Sequence, residues 1–279
     1  MSIEILETGT NELLCELADG VATVTLNRPE KRNALGDNLT PALRAILLTL
    51  EENLRCGAIV ITGSGRAFCA GGDVSGMGGA GSKTETQTIK PTPEDGMRAL
   101  IHKQESLTLR MHELAKPIIA ALPGPAAGAG LSIALAADLR VMSEDTFITT
   151  AFANIGLSGD YGTSWFLTRL IGPSRALELM LTARRITAKE CLDLGIVNTI
   201  TPYEEVRNRA RQLALDIANG PRTALRYMKE NINRAVNSDL KTCLSGEARA
   251  LMQCSRTDDH KEAVRAFMEK RPPIFNNPR

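Results

Sequence analysis

Histidine is scarce in this chain of 279 residues, and neither sign of charge is in excess. The three histidines, His102, His112 and His260, lie far apart, so a zinc cluster or a histidine-dependent triad is not easily built. The 33 basic and 32 acidic side chains give a net charge of +1, without a basic face or an acidic tail. We therefore expect no nucleic-acid or membrane partner, and the balance favours a binder of small molecules.

Paired cysteines, a basic leader and a long apolar run are also lacking. The six cysteines show no Cys-x-x-Cys spacing and have apolar neighbours, which is typical of reduced, buried thiols rather than of a disulfide framework. The start, MSIEILETG, has no basic segment followed by an apolar one, and no apolar stretch reaches the roughly 20 residues of a membrane span. These features predict a cytoplasmic protein without a metal site.

The order of the predicted elements is that of an α/β protein. Alternating apolar and polar residues predict a β-hairpin over 12–27 that turns at Asp19-Gly20. A helix over 38–54 and a strand over 58–62 follow. The later predicted elements are a helix ending near 115, strands over 117–122 and 138–143, and helices over 162–171, 173–181 and 188–194. Strands that alternate with helices indicate parallel pairing.

Two segments interrupt this order. Residues 76–96 are rich in Gly, Ser, Thr and Pro, which predicts a mobile surface loop. The glycines over 76–81 fit GxGxxG, but they do not join a strand to a helix, so no dinucleotide site is predicted. A break near Pro202 divides the chain into a predicted core, residues 1–201, and a helical region, 202–279, with four amphipathic segments.

Two glycine-rich turns follow predicted strands. The first is RAFCAGGD over 66–73, and the second is GPAAGAG over 124–130, before a helix predicted to begin near Leu131. Backbone N–H groups in such turns can hold an anion or a developing oxyanion, and two turns can aim two N–H groups at one oxygen. Close packing of small residues is the alternative explanation.

Several segments together identify a family resemblance. They are LNRPEKRNAL (26–35), GRAFCAGGD (65–73), KPIIAALPGPAAGAGLSIALAAD (116–138), LTARRITAKECLDLGIVN (181–198) and DHKEAVRAFMEKRPPIF (259–275). Together they resemble the crotonase family, the enoyl-CoA hydratases and isomerases. The resemblance covers about 12–275 and implies an α/β fold, a ββα-spiral core with a helical trimerisation region. It also implies an acyl-CoA thioester as substrate, a homotrimer or dimer of trimers, and no cofactor beyond the coenzyme A of the substrate.

The resemblance also assigns site residues. It implies that the amides of Gly72 and Ala129 hold the thioester oxygen, where each well-placed donor contributes roughly 3–4 kcal/mol. The residues that it implies for the coenzyme A and acyl parts are Arg28, Lys31, Ala34, Ala70, Gly71, Asp73, Gly128, Ser132, Phe152, Phe267 and Lys270. For Arg28, Lys31 and Lys270, a solvated surface charge is the alternative.

The chain departs from the family hydratases where those enzymes carry two glutamates. Ser132 and Phe152 stand at these positions, and neither a hydroxyl nor a phenyl ring can act as a carboxylate base. Eight residues after Phe152, Asp160 resembles the aspartate of two family branches: isomerases of phenylacetyl-type thioesters, and dehalogenases that use it as a nucleophile. A carboxylate in an apolar pocket suits a general base. The alternative is an N-cap for a helix starting near Tyr161.

Double-bond isomerisation with Asp160 as base is the predicted reaction, because one base can take a proton from one carbon and return it to another. The alternatives are hydration, a hydrolase or dehalogenase with Asp160 as nucleophile, and a coenzyme A thioester binder without catalysis. Phe152, Trp165 and Phe166 are expected either to line a pocket for bulky or aromatic acyl groups or to pack in the core.

Overall fold

A seven-stranded sheet is the centre of the computed structural model, which describes residues 3–73 and 92–275. Its strands, in spatial order, are β1 (Glu4–Ile5), β2 (Leu13–Ala18), β3 (Val21–Leu26), β4 (Ala58–Gly63), β5 (Ile118–Leu122), β7 (Leu139–Ser143) and β10 (Thr199–Thr201). The first three pair antiparallel and the others parallel. A small second sheet contains β6 (Ala126–Ala127), β8 (Phe147–Thr149) and β9 (Ile186–Thr187).

Helices cover both faces of the large sheet. The α-helices of the described residues are α1 (Leu39–Glu52), α2 (Pro93–Gln104), α3 (Arg110–Glu113), α4 (Ala129–Ala136), α5 (Thr163–Ile171), α6 (Pro173–Thr182), α7 (Ala188–Asp193), α8 (Val206–Ala218), α9 (Arg222–Ala235), α10 (Leu240–Cys254) and α11 (Asp258–Met268). A π-helical turn over Glu105–Leu109 joins α2 to α3. In the described part of the chain, no helix is long and apolar enough to cross a membrane.

The predicted α/β class is confirmed, and the sheet explains it. All six residues of β4 are buried, as expected for a parallel strand covered on both faces. Ile59 and Ile61 face the larger core, which also contains the apolar side of α1. Ala58 and Val60 face the other side, where they meet α8. Thus α8, in the predicted C-terminal region, packs directly on the sheet, and the division at residue 202 stays a prediction.

Most predicted elements are present, with local corrections. The hairpin turns at Asp19 and Gly20, which have the positive φ values of a tight two-residue turn. The predicted loop over 76–96 is wrong at its end, because Thr92 and Asp95 form a capping box and α2 begins at Pro93. Residues 76–91, with the GxGxxG pattern, lie outside the described residues. The short strands β1, β6, β8, β9 and β10 were not predicted, because they have too few residues to show a periodicity.

The cysteine prediction holds for four of the six thiols. Cys15, Cys56, Cys69 and Cys191 are buried, whereas Cys243 and Cys254 are partly exposed on α10. All six are free. Burial raises the pKa of Cys69, beside the first glycine turn, to about 12, so this thiol stays protonated at neutral pH.

A buried arginine holds the end of α4 in place. Arg140 donates from Nε to the carbonyl oxygen of Ile196 at 2.6 Å, and Nη1 donates to carbonyl oxygens in the last turn of α4. We expect Arg140→Met to lower the free energy of unfolding by about 3 kcal/mol, because buried acceptors lose a charged donor. Urea denaturation measures this loss. Arg209→Met, at an exposed position of α8, is the control and should change stability by less than about 0.5 kcal/mol.

Candidate active site

The two glycine turns lie side by side. The Phe68 N–H donates to the Pro125 carbonyl at 3.1 Å, and the Ala127 N–H donates to the Cys69 carbonyl at 3.0 Å. Gly71 has φ +95°, and a Cβ placed on it would lie 2.9 Å from the Ala127 oxygen and 3.5 Å from the Ala129 nitrogen. Only glycine permits both this conformation and this approach. The first turn therefore ends directly against the start of α4.

Each turn presents a backbone N–H that has no acceptor among the described residues. The Leu35 N–H donates to the Gly71 carbonyl at 2.7 Å, and the Leu35 carbonyl accepts from the Asp73 N–H at 2.9 Å. Gly72 lies between these two bonds, so its own N–H faces away from Leu35. Ala129 is the first residue of α4, where an N–H has no partner within the helix. Over 3–73 and 92–275, neither N–H has a protein acceptor.

The helix begins earlier than predicted, and this matters for the site. It starts at Ala129 rather than near Leu131, so the Ala129 N–H belongs to the positive end of α4. A Cβ placed on Gly72 would have no atom of a described residue within 4 Å, so among these residues the first turn is open on that side. Free donors beside open space are chemically suited to bind one oxygen atom that carries negative charge.

Two predicted cations meet at the carboxylate that follows Gly72. Arg28 Nη2 lies 3.1 Å from Asp73 Oδ2, and Lys31 Nζ lies 3.0 Å from the same oxygen. Arg28 is only 8% exposed, and its Nη1 also donates to the Ala34 carbonyl at 2.7 Å. The alternative that Arg28 is a solvated surface charge is therefore wrong, and Arg28 stabilises the first turn. Lys31 is about half exposed, and Ala70 is exposed beside it on the outer side of this turn.

Asp160 lies in the loop before α5 with an unsatisfied carboxylate oxygen. Its Oδ1 is buried and has no hydrogen-bond partner among residues 3–73 and 92–275. Burial raises the pKa of this carboxyl above its ordinary value. The N-cap alternative is wrong, because α5 begins at Thr163 after Gly162, and no side chain caps it. No hydrogen bond from a described residue at Oδ1 competes with a substrate for this carboxylate, and its burial disfavours the charged form.

The Asp160 loop is tied to the helix that begins with Ala129. Ser132 is completely buried on α4, and its hydroxyl oxygen lies 3.1 Å from the Asp160 carbonyl oxygen. It is also hydrogen-bonded to Thr163 Oγ1, which lies 3.0 Å from the same carbonyl oxygen, so one hydroxyl donates to the other and one donates to the carbonyl. Ser132 therefore joins α4 to the loop that carries Asp160. A single helix carries one free amide and fixes the backbone of the nearby carboxylate.

Phe152 fills the space between the second glycine turn and the Asp160 loop. It is 5% exposed. A Cβ placed on Gly128 would lie 3.7 Å from its ring, and one placed on Gly159 would lie 3.5 Å from it. This burial surrounds the loop with apolar groups, which is consistent with the raised pKa of Asp160.

A cavity of about 320 Å³ lies beside this loop. It is lined by Ile101, Gln104, Glu105, Thr108, Leu109, His112, Gly162, Trp165 and Phe166. Trp165 and Phe166 make an edge-to-face contact with centroids 5.0 Å apart, and His112 packs against both rings. The volume is at the small end of the range for ligand pockets. Of the three aromatic residues expected in a pocket or the core, Trp165 and Phe166 line this cavity.

Sequence reasoning missed the groups that hold the loop. Gln104 accepts from the Tyr161 N–H across 57 residues of chain, which no local pattern could have shown, and the Thr163 hydroxyl lies 3.0 Å from the Asp160 carbonyl oxygen three residues before it. Phe267 and Lys270 lie at the end of α11, where Phe267 is 82% exposed. No hydrogen bond or ion pair between described residues joins them to the glycine turns, so their role stays a prediction. The described residues contain no group of three or more metal-binding side chains.

Comparisons with known proteins identify the family of this chain. The profile of the family described as Enoyl-CoA hydratase/isomerase matches residues 16–278. A probable enoyl-CoA hydratase from Rhodobacter capsulatus is 35% identical over 93% of this chain and 96% of its own. The 1,2-epoxyphenylacetyl-CoA isomerase of Escherichia coli is 33% identical over 94% and 97%. The crystal structure of a putative enoyl-CoA hydratase from Streptomyces coelicolor has a TM-score of 0.87 at 33% identity, covering 96% of this chain and 95% of that one. The chain therefore belongs to the enoyl-CoA hydratase/isomerase family, the crotonase superfamily, whose members are enzymes that act on coenzyme A thioesters.

Proposed function

We propose that this enzyme shifts the double bond of an enoyl-CoA, with Asp160 as the general base. The observation that carries the proposal is the unpartnered, half-buried carboxylate of Asp160, on a loop bonded to the helix that begins with Ala129. Ser132 and Phe152 stand where the resemblance places the two glutamates of hydratases. With those carboxylates replaced, we assign the acid–base role to Asp160.

The reaction needs one base and one oxyanion site. The thioester oxygen accepts hydrogen bonds from the Gly72 and Ala129 N–H groups. Asp160 removes a proton from Cα of a 3-enoyl thioester, and the electron pair passes into a dienolate whose charge lies on that oxygen. The protonated carboxyl then returns the proton to Cγ, which leaves the double bond between Cα and Cβ. A raised pKa suits a carboxyl that must both take and give a proton.

The same proposal gives a location to each part of the substrate. The cavity beside Gly162 would hold the acyl end, and its Trp165 and Phe166 rings favour an aromatic or bulky group. The segment with Arg28, Lys31, Ala34 and Ala70 would lie along the coenzyme A part, and Gly71, Asp73 and Gly128 would shape the turns. Phe267 and Lys270 would contact the nucleotide. Coenzyme A is part of the substrate, and no separate cofactor takes part in the proposed reaction.

We also propose that the chain forms a homotrimer or a dimer of trimers. Several large apolar side chains on the C-terminal helices are exposed in the single chain: Met228, Ile232, Leu244, Leu251, Met252 and Met268. A monomeric protein rarely exposes so many such groups together, so a subunit interface on these helices would explain them.

A panel of coenzyme A thioesters tests the proposed reaction. We expect 3-enoyl substrates, including aromatic ones, to give 2-enoyl products of unchanged mass, detected by chromatography and mass spectrometry. A product heavier by one water would support the hydratase alternative. A covalent adduct on the peptide that contains Asp160 would support the nucleophile alternative. Binding of thioesters with no turnover of any would contradict the proposal and favour a binding protein.

A further inference from the structure

The peptide group between Asp160 and Tyr161 is held at both of its ends. Its carbonyl oxygen lies 3.1 and 3.0 Å from the hydroxyl oxygens of Ser132 and Thr163, which are also hydrogen-bonded to each other, so one of the two hydroxyls donates to it. Its N–H donates to Gln104 Oε1 at 2.7 Å. A peptide group is planar, so hydrogen bonds at opposite edges fix its orientation. The Asp160 Cα lies in the plane of this peptide group, so the orientation of the peptide group also determines the direction in which the Asp160 side chain leaves the backbone.

Tyr161 adopts a backbone conformation that needs such support. Its φ is +51°, which is uncommon for a residue with a bulky side chain and costs roughly 1–3 kcal/mol. The side chain is buried, and its hydroxyl accepts from Arg44 Nη2 at 3.1 Å. Arg44, on α1, also donates to the Lys103 carbonyl at the end of α2. The strained residue is therefore fixed through α1 and α2, far from it in sequence.

Gln104 is the group that reaches this loop from α2. It is the last residue of that helix, and the π-helical turn over Glu105–Leu109 follows it directly. Such turns inside helices are frequent at functional sites. Gln104 also lines the cavity, so it adjoins both the space proposed for the acyl group and the peptide that carries the base.

We infer that Gln104 is a positioning residue for Asp160, acting through its hydrogen bond to the Tyr161 N–H. The inference rests on the proposed role of Asp160 as base. No hydrogen bond fixes the carboxylate at Oδ1, so its direction depends on the backbone to which it is attached. When the Gln104 bond is lost, the Asp160–Tyr161 peptide can rotate, and the carboxylate moves away from the carbon that it deprotonates.

Two substitutions at Gln104 test this role by steady-state kinetics on the preferred thioester. Gln104→Met keeps the length of the side chain but has no acceptor oxygen. We expect kcat to fall about 10- to 100-fold with little change in KM, because a displaced base slows the chemical step. Gln104→Glu keeps an acceptor oxygen and should recover most of the lost kcat. Lys103→Met, at the exposed neighbouring position, is the matched control and should keep the wild-type kcat.

Thr163→Val provides an independent variant at the other end of the same peptide group, and it should lower kcat by a smaller factor. Wild-type kcat in Gln104→Met, or a loss that Gln104→Glu does not recover, would overturn the inference. If Gln104→Met does not fold, unchanged kcat in Thr163→Val overturns it instead. Asp160→Asn is assayed in parallel: if it retains turnover, the proposed function fails. If it is inactive while Gln104→Met is fully active, only the positioning role fails.

Discussion

Asp160→Asn is expected to lower kcat for the preferred enoyl-CoA about 100- to 10,000-fold, the usual contribution of a positioned general base. The amide has almost the same shape as the carboxylate, so the cavity and the two free amides remain and KM should change little. Stopped-time assays with product separation measure the residual rate. Asp145→Asn, at an exposed position outside the site, is the control and should keep full activity.

The same substitution should make the folded protein more stable at neutral pH. Burial raises the pKa of Asp160 in the folded state, so the native protein binds more protons than the unfolded chain between the two pKa values. Stability therefore falls as pH rises from the ordinary carboxyl pKa through the raised one. Above that range the buried carboxylate is fully charged and destabilises the folded state, and asparagine removes this charge. Thermal unfolding should show a higher Tm for Asp160→Asn at neutral pH, and the gain should vanish in acid.

Activity and stability together separate a catalytic role from a structural one. If the carboxylate only supported the loop, its substitution would lower the free energy of unfolding of the protein. The pH dependence gives a third measurement: kcat/KM of the wild type should fall as pH decreases through the raised pKa, because the base must be ionised. Full turnover by Asp160→Asn, or a lower Tm with unchanged chemistry, would contradict the assignment.

Ala129→Pro is expected to lower kcat about 100- to 1,000-fold, because it removes one of the two proposed oxyanion donors. Proline lacks the N–H but is well tolerated at the first position of a helix, which Ala129 occupies in α4. Two other helices of this chain, α2 and α6, already begin with proline. The substitution should therefore delete the donor and leave the helix intact, which circular dichroism can verify.

Ala129→Gly is the matched control, because it changes the side chain and keeps the N–H. We expect it to retain most of the wild-type kcat. An unchanged rate in Ala129→Pro would show that this amide does not hold the thioester oxygen. Equal losses in the proline and glycine variants would mean that the side chain matters and the donor does not.

The sequence by itself determined the class of fold and which residue types stand at the candidate site. The Asp19-Gly20 turn, the apolar run of β4 and the glycine turns are local signals, because turn residues and apolar runs are read from neighbouring residues. The sequence also places Ser132 and Phe152 at the positions where the family hydratases carry glutamates, and it contains Asp160. These facts depend on side-chain chemistry alone, and the comparisons confirm the family that they indicated.

Only the tertiary structure decided what those groups do to one another. The first glycine turn and the start of α4 are almost sixty residues apart, and they meet because β4 and β5 are neighbours in a parallel sheet. Gln104 and Tyr161 are 57 residues apart, and their bond depends on how α2 packs beside the loop. The structure likewise showed that Asp160 is unpartnered rather than a helix cap, and that Arg28 is buried. Burial and long-range hydrogen bonds are properties of the packed chain, so no periodicity or motif records them.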